Sequence, residues 1–284
     1  MTDQQKIKEC LTACGVSVFG ITPFTPDLLL PSRAKHAVDR QFDLIHAKSV
    51  IVCAFPYYTG TFEQRNLSLY AMLPDYHAIV IQKLTRAADA LSDLFAGFSF
   101  RPFVDMSPLC EVQAAVSAGL GARGVNTQLI CEKWGSLVFL GELVTDAAFF
   151  ATNTRQIQVD CQSCQKCVDA CPTGALHDGL LDAAKCRSAI TQKKGSLTPW
   201  EEEQITQGGL VWGCDICTLA CPHNAHPPIT PICEFVQDVS PVLTEQNLDA
   251  LLADRAFSWR GKEVLARNLQ ILAKTNRKDG HHDL

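Results

Sequence analysis

Residues 161–172 read CQSCQKCVDACP and residues 214–222 read CDICTLACP. With Cys186 between them, these two stretches decide how the middle of the chain folds. The first supplies Cys161, Cys164, Cys167 and Cys171 followed by Pro172, and the second supplies Cys214, Cys217 and Cys221 followed by Pro222. The first run fits the C-x2-C-x2-C-x3-C-P pattern of two-cluster ferredoxins, in which the fourth cysteine ligates the other cluster. Tight spacing lets neighbouring thiolates reach adjacent irons of one cubane, while the x3-C-P step sends the last thiolate across. Three plus one and one plus three then close two four-thiolate [4Fe–4S] sites. One takes Cys161, Cys164, Cys167 and Cys221. The other takes Cys171, Cys186, Cys214 and Cys217. Such clusters pass single electrons over short distances. Structural zinc also uses C-x2-C pairs, but two zinc sites would not need the repeated x3-C-P ending.

The chain has 284 residues, 14 cysteines, 47% hydrophobic residues and a formal net charge of −5. Cys10, Cys14, Cys53, Cys110, Cys131 and Cys233 have no ligand spacing and read as small buried hydrophobes. The start, MTDQQKIKEC, lacks the basic n-region and apolar h-region of a secretory signal. So many thiols without such a signal imply a reducing, cytoplasmic setting. No apolar run approaches a membrane span, so no membrane partner is expected. The net negative charge argues against a generally basic nucleic-acid surface. Arg255 to Lys278 holds seven Lys or Arg against one acid, Glu263, which reads first as a solvated helix face.

Hydrophobic periodicity organises the rest. Residues 4–14 form an amphipathic helix ended by Gly15. VSVFGIT and SVIVCAFPYY are strands, the second closed by Pro56. Ala78 to Phe95 is a helix, FSFRPFVD a strand ending at Asp105, and Leu109 to Ala118 a short helix. QLICEKWGSLVFLGELVTD reads as a hairpin turning near Lys133 to Gly135. From about Thr244 the chain is helical, with Thr244 near Asn247 as a cap, and the tail NRKDGHHDL should fray. The expected domains are an N-terminal mixed α/β layer domain over 1–152, a two-cluster ferredoxin-like domain over 153–232 and a short helical segment over 233–284. The fold class is therefore α+β or α/β. A bare electron carrier needs little more than the cluster segment, so the first domain should bring an electron acceptor to it.

VDMSPLCE, AGLGARG, VFLGELVTD, the CQSCQKCVDACPTGAL run, LDAAKCRSAIT and GCDICTLACPHN together resemble the epoxyqueuosine reductase family. SVIVCAFPYYTG, LYAMLPDYH and WRGKEVLARNLQIL extend the likeness over nearly the whole chain. The resemblance implies a cobalamin-dependent iron–sulfur reductase that converts epoxyqueuosine to queuosine in a tRNA anticodon loop. It implies a short form without most of a C-terminal repeat domain. It also implies tRNA and an external flavodoxin- or ferredoxin-like electron donor as partners. Two departures stand out. After AGLG the family has Trp, then Gly-Lys-His, where this chain has Ala122, Arg123, Gly124, Val125 and Asn126. Before Asp75, Tyr76 and His77 it has Met72, Leu73 and Pro74 in place of an Arg-rich approach.

By the same resemblance Asp105 falls at the family's proton donor. Opening an epoxide and expelling its oxygen as water takes two electrons and two protons, and a carboxylic acid can supply a proton. That role calls for partly dry surroundings that keep the acid protonated near neutrality. Apart from the resemblance, Asp105 reads first as a cap for the helix that follows it. Asp75-x-His77 begins like D-x-H-x-x-G, but position 80 is Val, so the resemblance implies base-off cobalamin, with Tyr57, Asp105 and Ser188 as corrin contacts. Tyr57 also fits a core aromatic. Glu142 and Asp146 match the family or serve as structural carboxylates. His177, His223 and His226 lie near ligand cysteines and could tune a cluster or sit in solvent, and Glu201 to Glu203 reads as a solvated acidic turn. Two alternatives remain beside the reductase: a two-cluster electron-transfer protein, and a cobalamin reductase without a tRNA substrate.

Overall fold

A computed structural model describes residues 1–30, 44–152 and 157–279 of the chain. The tail expected to fray, from Asn276, lies largely outside the described residues. Two compact units emerge. The first comprises Met1–Tyr57, His77–Gly124 and Gln128–Asp160, and the second comprises Tyr58–Tyr76, Val125–Thr127 and Cys161–Leu284.

The first unit is built on a four-stranded sheet of β1 (Val18–Pro23), β2 (Ser49–Pro56), β3 (Phe100–Phe103) and β4 (Val138–Thr145). Its order is β1-β2-β4-β3 and all three ladders are antiparallel. All eight residues of β2 are buried, which explains why SVIVCAFP reads as an unbroken apolar run rather than an alternating one. Successive side chains leave a strand on opposite faces. Val50, Val52 and Val144 therefore share one face, where they pack with Ala114, Ala115 and Ala118. Those alanines belong to the helix Glu111–Ser117 and its C-cap. Gly141 points to the other face. A Cβ there would fall 2.8 Å from Leu84 and 3.0 Å from Val80, both on the helix Tyr76–Leu94. Helices on both faces make three layers, so the layered α/β reading holds, with an antiparallel sheet at its centre.

The first helix, Asp3–Ala13, is capped by the Thr2 side chain and ends before Gly15 at φ 78°. The expected hairpin over 128–146 is corrected. Its turn exists, since Cys131 and Gly135 exchange backbone hydrogen bonds. Its arms do not pair with each other: Leu129–Ile130 pairs with Ala122–Arg123, while β4 lies between β2 and β3. Both edges of β4 are thus taken, and no edge is left for the arm before the turn.

In the second unit, the segment 58–76 is woven into the cysteine-rich part. Ser68 N–H donates to Trp212 O, Val211 N–H donates to Asn66 O, and the Asn66 side chain bonds Leu243 in both directions. Trp212, with its indole N–H on Tyr70 and its ring 5.8 Å from Phe257, is the centre of this core. The helix Pro199–Gly208 opens with a capping box between Thr198 and Glu201. Glu201 is buried there and bonds Lys193 at 2.7 Å, so the solvated acidic turn expected at 201–203 is instead a helix start. Thr244 and Asn247 do exchange hydrogen bonds, but the helix they precede is only Leu248–Leu252. The long C-terminal helix, Lys262–Asp279, is tied to the cluster segment by Asn268, which donates to Thr191 O and Val211 O. Arg255 does not belong to a solvated basic face. It is buried and paired with Asp238 and Asp254. Among the described residues no helix is long and apolar enough to cross a membrane.

Candidate active site

Asp105 lies just past β3, on a loop that the backbone pins on both sides. Leu30 N–H donates to Pro108 O, and Cys110 N–H donates to Leu28 O. Met106 N–H donates to Val104 O, which closes a three-residue turn around Asp105 at φ 55°. A left-handed aspartate costs about 1–2 kcal/mol, and strain of this kind collects at working sites. Glu111 Oε1 accepts the Asp105 N–H at 3.1 Å, and the Asp105 carboxylate meets His77 Nε2 at 2.8 Å. The cap reading fails, because the helix Glu111–Ser117 has Cys110 at its N-cap. The side chains of His77 and Asp105 are 36% and 44% exposed, so protein atoms alone do not give Asp105 the dry surroundings its role calls for. His77 was legible only as part of a partial cobalamin motif. Its link to Asp105, 28 residues on, needed the fold.

Behind this loop Glu142 is fully buried on β4, and neither carboxylate oxygen has a hydrogen-bond partner. Burial pushes its pKa well above 4.5, the nearby Glu111 and Asp105 charges push it further, and the Ser107 hydroxyl works the other way. Burial therefore favours the protonated form of Glu142. The folded state keeps a proton that the unfolded chain sheds above 4.5, so stability falls as pH rises through the window above that value. Glu142→Gln should flatten this dependence, whose slope reaches about 1.4 kcal/mol per pH unit. Melting temperatures at pH 5 and pH 8 test it. The variant should gain on the wild type at pH 8 and lose that gain at pH 5, and an equal difference at both values would show a charged Glu142. Asp146, by contrast, accepts Ser99 N–H at 2.8 Å and is a structural carboxylate.

Tyr57 is buried, with its ring 4.5 Å from Phe139 and its N–H on Leu137 O. The core-aromatic reading accounts for all of that. In the second unit Ser188 is half-buried on the helix Arg187–Thr191, and its hydroxyl accepts from Gln192 at 3.3 Å.

All fourteen cysteines are free thiols. Cys161 and Cys164 share a single helical turn, which Gln165 ends in a left-handed conformation (φ 45°) before the next turn carries Cys167. That second turn, Lys166–Asp169, packs against Ile216–Leu219, which carries Cys217. Cys167 feels the charges of Cys221 and Cys161, and Cys221 those of Cys161 and Cys164. Cys214 feels Cys186, while Cys217, pushed up to about 11 chiefly by burial, feels Cys214 and Cys186. All eight of these cysteines lie in the second unit. Burial alone would raise Cys171, yet the Thr173 hydroxyl and the backbone N–H groups of Thr173, Ala175 and Leu176 hold it below its ordinary value. Thiolates crowded in this way repel unless a cation core sits among them, and hydrogen bonds to the sulfurs suit such a core. The donor set fits iron–sulfur clusters. His177, His223 and His226 are exposed; it is the backbone of His223, not its imidazole, that reaches Cys221. Of the remaining cysteines, Cys14, Cys53 and Cys131 are buried as expected and Cys233 is exposed.

Comparison with known proteins places this arrangement. The family described as "Epoxyqueuosine reductase QueG, DUF1730" matches residues 42–106, and the "4Fe-4S double cluster binding domain" matches residues 160–224. The epoxyqueuosine reductase of Bacillus subtilis is 33% identical over 275 residues, 90% of this chain and 66% of that protein. This chain belongs to the epoxyqueuosine reductase family. The Lactococcus garvieae epoxyqueuosine reductase is 35% identical over 72% of this chain, which spans 60% of that relative's length. A crystal structure of epoxyqueuosine reductase with an epoxyqueuosine-modified tRNA stem loop superposes with a TM-score of 0.79, at 25% identity, over 96% of this chain and 81% of that one. The fold extends to a reductive dehalogenase whose dehalogenation is B12-dependent (TM-score 0.52, 16% identity, 95% of this chain and 36% of that one).

Proposed function

We propose that this chain is a reductase that removes the epoxide oxygen of epoxyqueuosine in a tRNA anticodon loop. The observation that carries the reading is the match of residues 160–224, which hold all eight cysteines at ligand spacing, to a 4Fe-4S double cluster binding domain, in a chain whose relatives are named epoxyqueuosine reductases. Cys161, Cys164, Cys167 and Cys221 hold the first [4Fe–4S] cluster. Cys171, Cys186, Cys214 and Cys217 hold the second. A flavodoxin- or ferredoxin-like carrier supplies the electrons. The reaction consumes two electrons and two protons, forms a carbon–carbon double bond and releases water.

Asp105 delivers a proton to the departing oxygen. His77 holds the carboxylate in place and Glu111 fixes the loop through the Asp105 N–H. Cobalamin fits this reading, and when bound it supplies a strongly reducing cobalt that accepts electrons one at a time. Asp105 and Tyr57 are the residues proposed to lie against the corrin. His77 is already engaged by Asp105, so it is not offered as a lower ligand, which suits base-off binding. The test is anaerobic turnover of an epoxyqueuosine-bearing anticodon stem-loop with cobalamin and strong reductant. Queuosine formation supports the reading. Loaded clusters and retained cobalamin without turnover would favour the cobalamin reductase, and loaded clusters without cobalamin retention would favour a plain electron carrier.

A further inference from the structure

We propose that Arg187 is the buried counter-ion of the second cluster and sets the potential at which that cluster is reduced. The inference rests on the reading that Cys186 and Cys214 ligate that cluster. Arg187 follows Cys186 directly and is only 6% exposed. Its Nη2 donates to Gln204 Oε1 at 3.0 Å, but its Nε has no partner, and among the described residues no carboxylate pairs with it. Among the described residues the other buried arginine, Arg255, is neutralised by Asp238 and Asp254, and the half-buried Arg65 is neutralised by Asp215 at 2.5 Å. A buried cation without a counter-charge is strongly disfavoured, so Arg187 needs a negative charge that these side chains do not supply.

The place for that charge is a pocket of the second unit. Arg187 and Cys214 line one pocket of 260 Å³ together with Arg65, Gly208, Gly209 and Asp215. The guanidinium is also held in place: a Cβ on Gly208 would fall 2.7 Å from Arg187 Cδ and 3.2 Å from Nε and Nη1. A cubane with four thiolates is a dianion when oxidised and a trianion after it accepts one electron. A fixed cation beside it stabilises the trianion more, so it raises the reduction potential. Arg187 thereby makes the second cluster easier to reduce than it would be in a neutral setting.

The experiment is an anaerobic redox titration of the holoprotein followed by electron paramagnetic resonance, with the Cys186→Ala protein used to mark the first cluster's signal. In Arg187→Gln the reduced-to-oxidised ratio of the second cluster at fixed potential should fall about tenfold, equivalent to 59 mV for one electron. The first cluster should not move. Arg187→Lys should keep most of the wild-type potential, and Gly208→Ala, which crowds the guanidinium without deleting its charge, should give a smaller shift of the same sign. A change under about threefold in Arg187→Gln, or equal shifts in both clusters, overturns the proposal. If Arg187→Gln does not load the second cluster, Arg187→Lys loading it near the wild-type potential supports the charge. Failure of the lysine variant to load, with Gly208→Ala titrating as wild type, overturns it. A wild-type protein that loads a single cluster would instead sink the underlying ligand reading.

Discussion

Cys186→Ala is expected to purify folded, with about four irons in place of about eight, and with the first cluster intact. The reason is ligand arithmetic. Without Cys186 the second group keeps Cys171, Cys214 and Cys217, while the first still has Cys161, Cys164, Cys167 and Cys221. The substitution is a gentle one for the fold. Cys186 occupies the N-cap of the helix Arg187–Thr191 but makes no side-chain capping bond, so alanine removes a ligand without removing a cap. Turnover should disappear with the second cluster, because electrons then have no complete route through the protein. Iron and sulfide analysis beside the wild type reads the result. Loss of both clusters would show that the two groups are not separable as assigned, and retention of about eight irons would show that Cys186 is not a ligand.

The cluster unit was legible because cysteine spacing is a local signal: the ligands within each run lie a turn or less apart, so sequence and geometry carry the same information. Strand β2 and the helix Tyr76–Leu94 were legible for a similar reason, β2 as an unbroken apolar run and the helix through one period held over many residues. What escaped sequence reading depends on residues far apart. The pairing partner of Leu129–Ile130 could not be read, because the turn at Cys131 to Gly135 has ordinary hairpin chemistry and only the capture of both β4 edges diverts its arm. The segment 58–76 gave no sign that it enters the cluster unit, because its anchors are single hydrogen bonds to Trp212, Val211 and Leu243. Nothing in the sequence singled out Arg187, and Arg255 read as part of a basic face. Their burial is set by Gly208 and Gln204 in one case and by Asp238 and Asp254 in the other. The Asp105 position was marked by a resemblance. The contacts that give it chemical meaning, His77 and Glu111, were found only in the fold.

Asp105→Asn should lower turnover of the epoxyqueuosine stem-loop by about a hundredfold or more, the usual range for loss of a general acid. The amide is close to isosteric. It can keep a hydrogen bond to His77, and asparagine tolerates the left-handed conformation at φ 55° as well as aspartate does. Loop geometry, iron content and cluster reduction should therefore match the wild type, which separates a missing proton from a broken site. Reduction of a generic dye should also be unchanged, because that path uses only the clusters. A structural role makes a different prediction. If Asp105 served only to anchor His77, His77→Ala would cost as much as Asp105→Ala, and Asp105→Asn would keep most of the activity. Turnover in Asp105→Asn above about a tenth of wild type would remove Asp105 from the proton-transfer step. The pH profile adds a second readout. A general acid must be protonated to act, so wild-type turnover should fall on the alkaline side of its own titration, and the residual activity of the asparagine protein should lack that limb. Persistence of the same limb in the variant would assign it to another group. The buried Glu142, whose pKa the nearby Glu111 and Asp105 charges push up, would then be the first to exchange for glutamine.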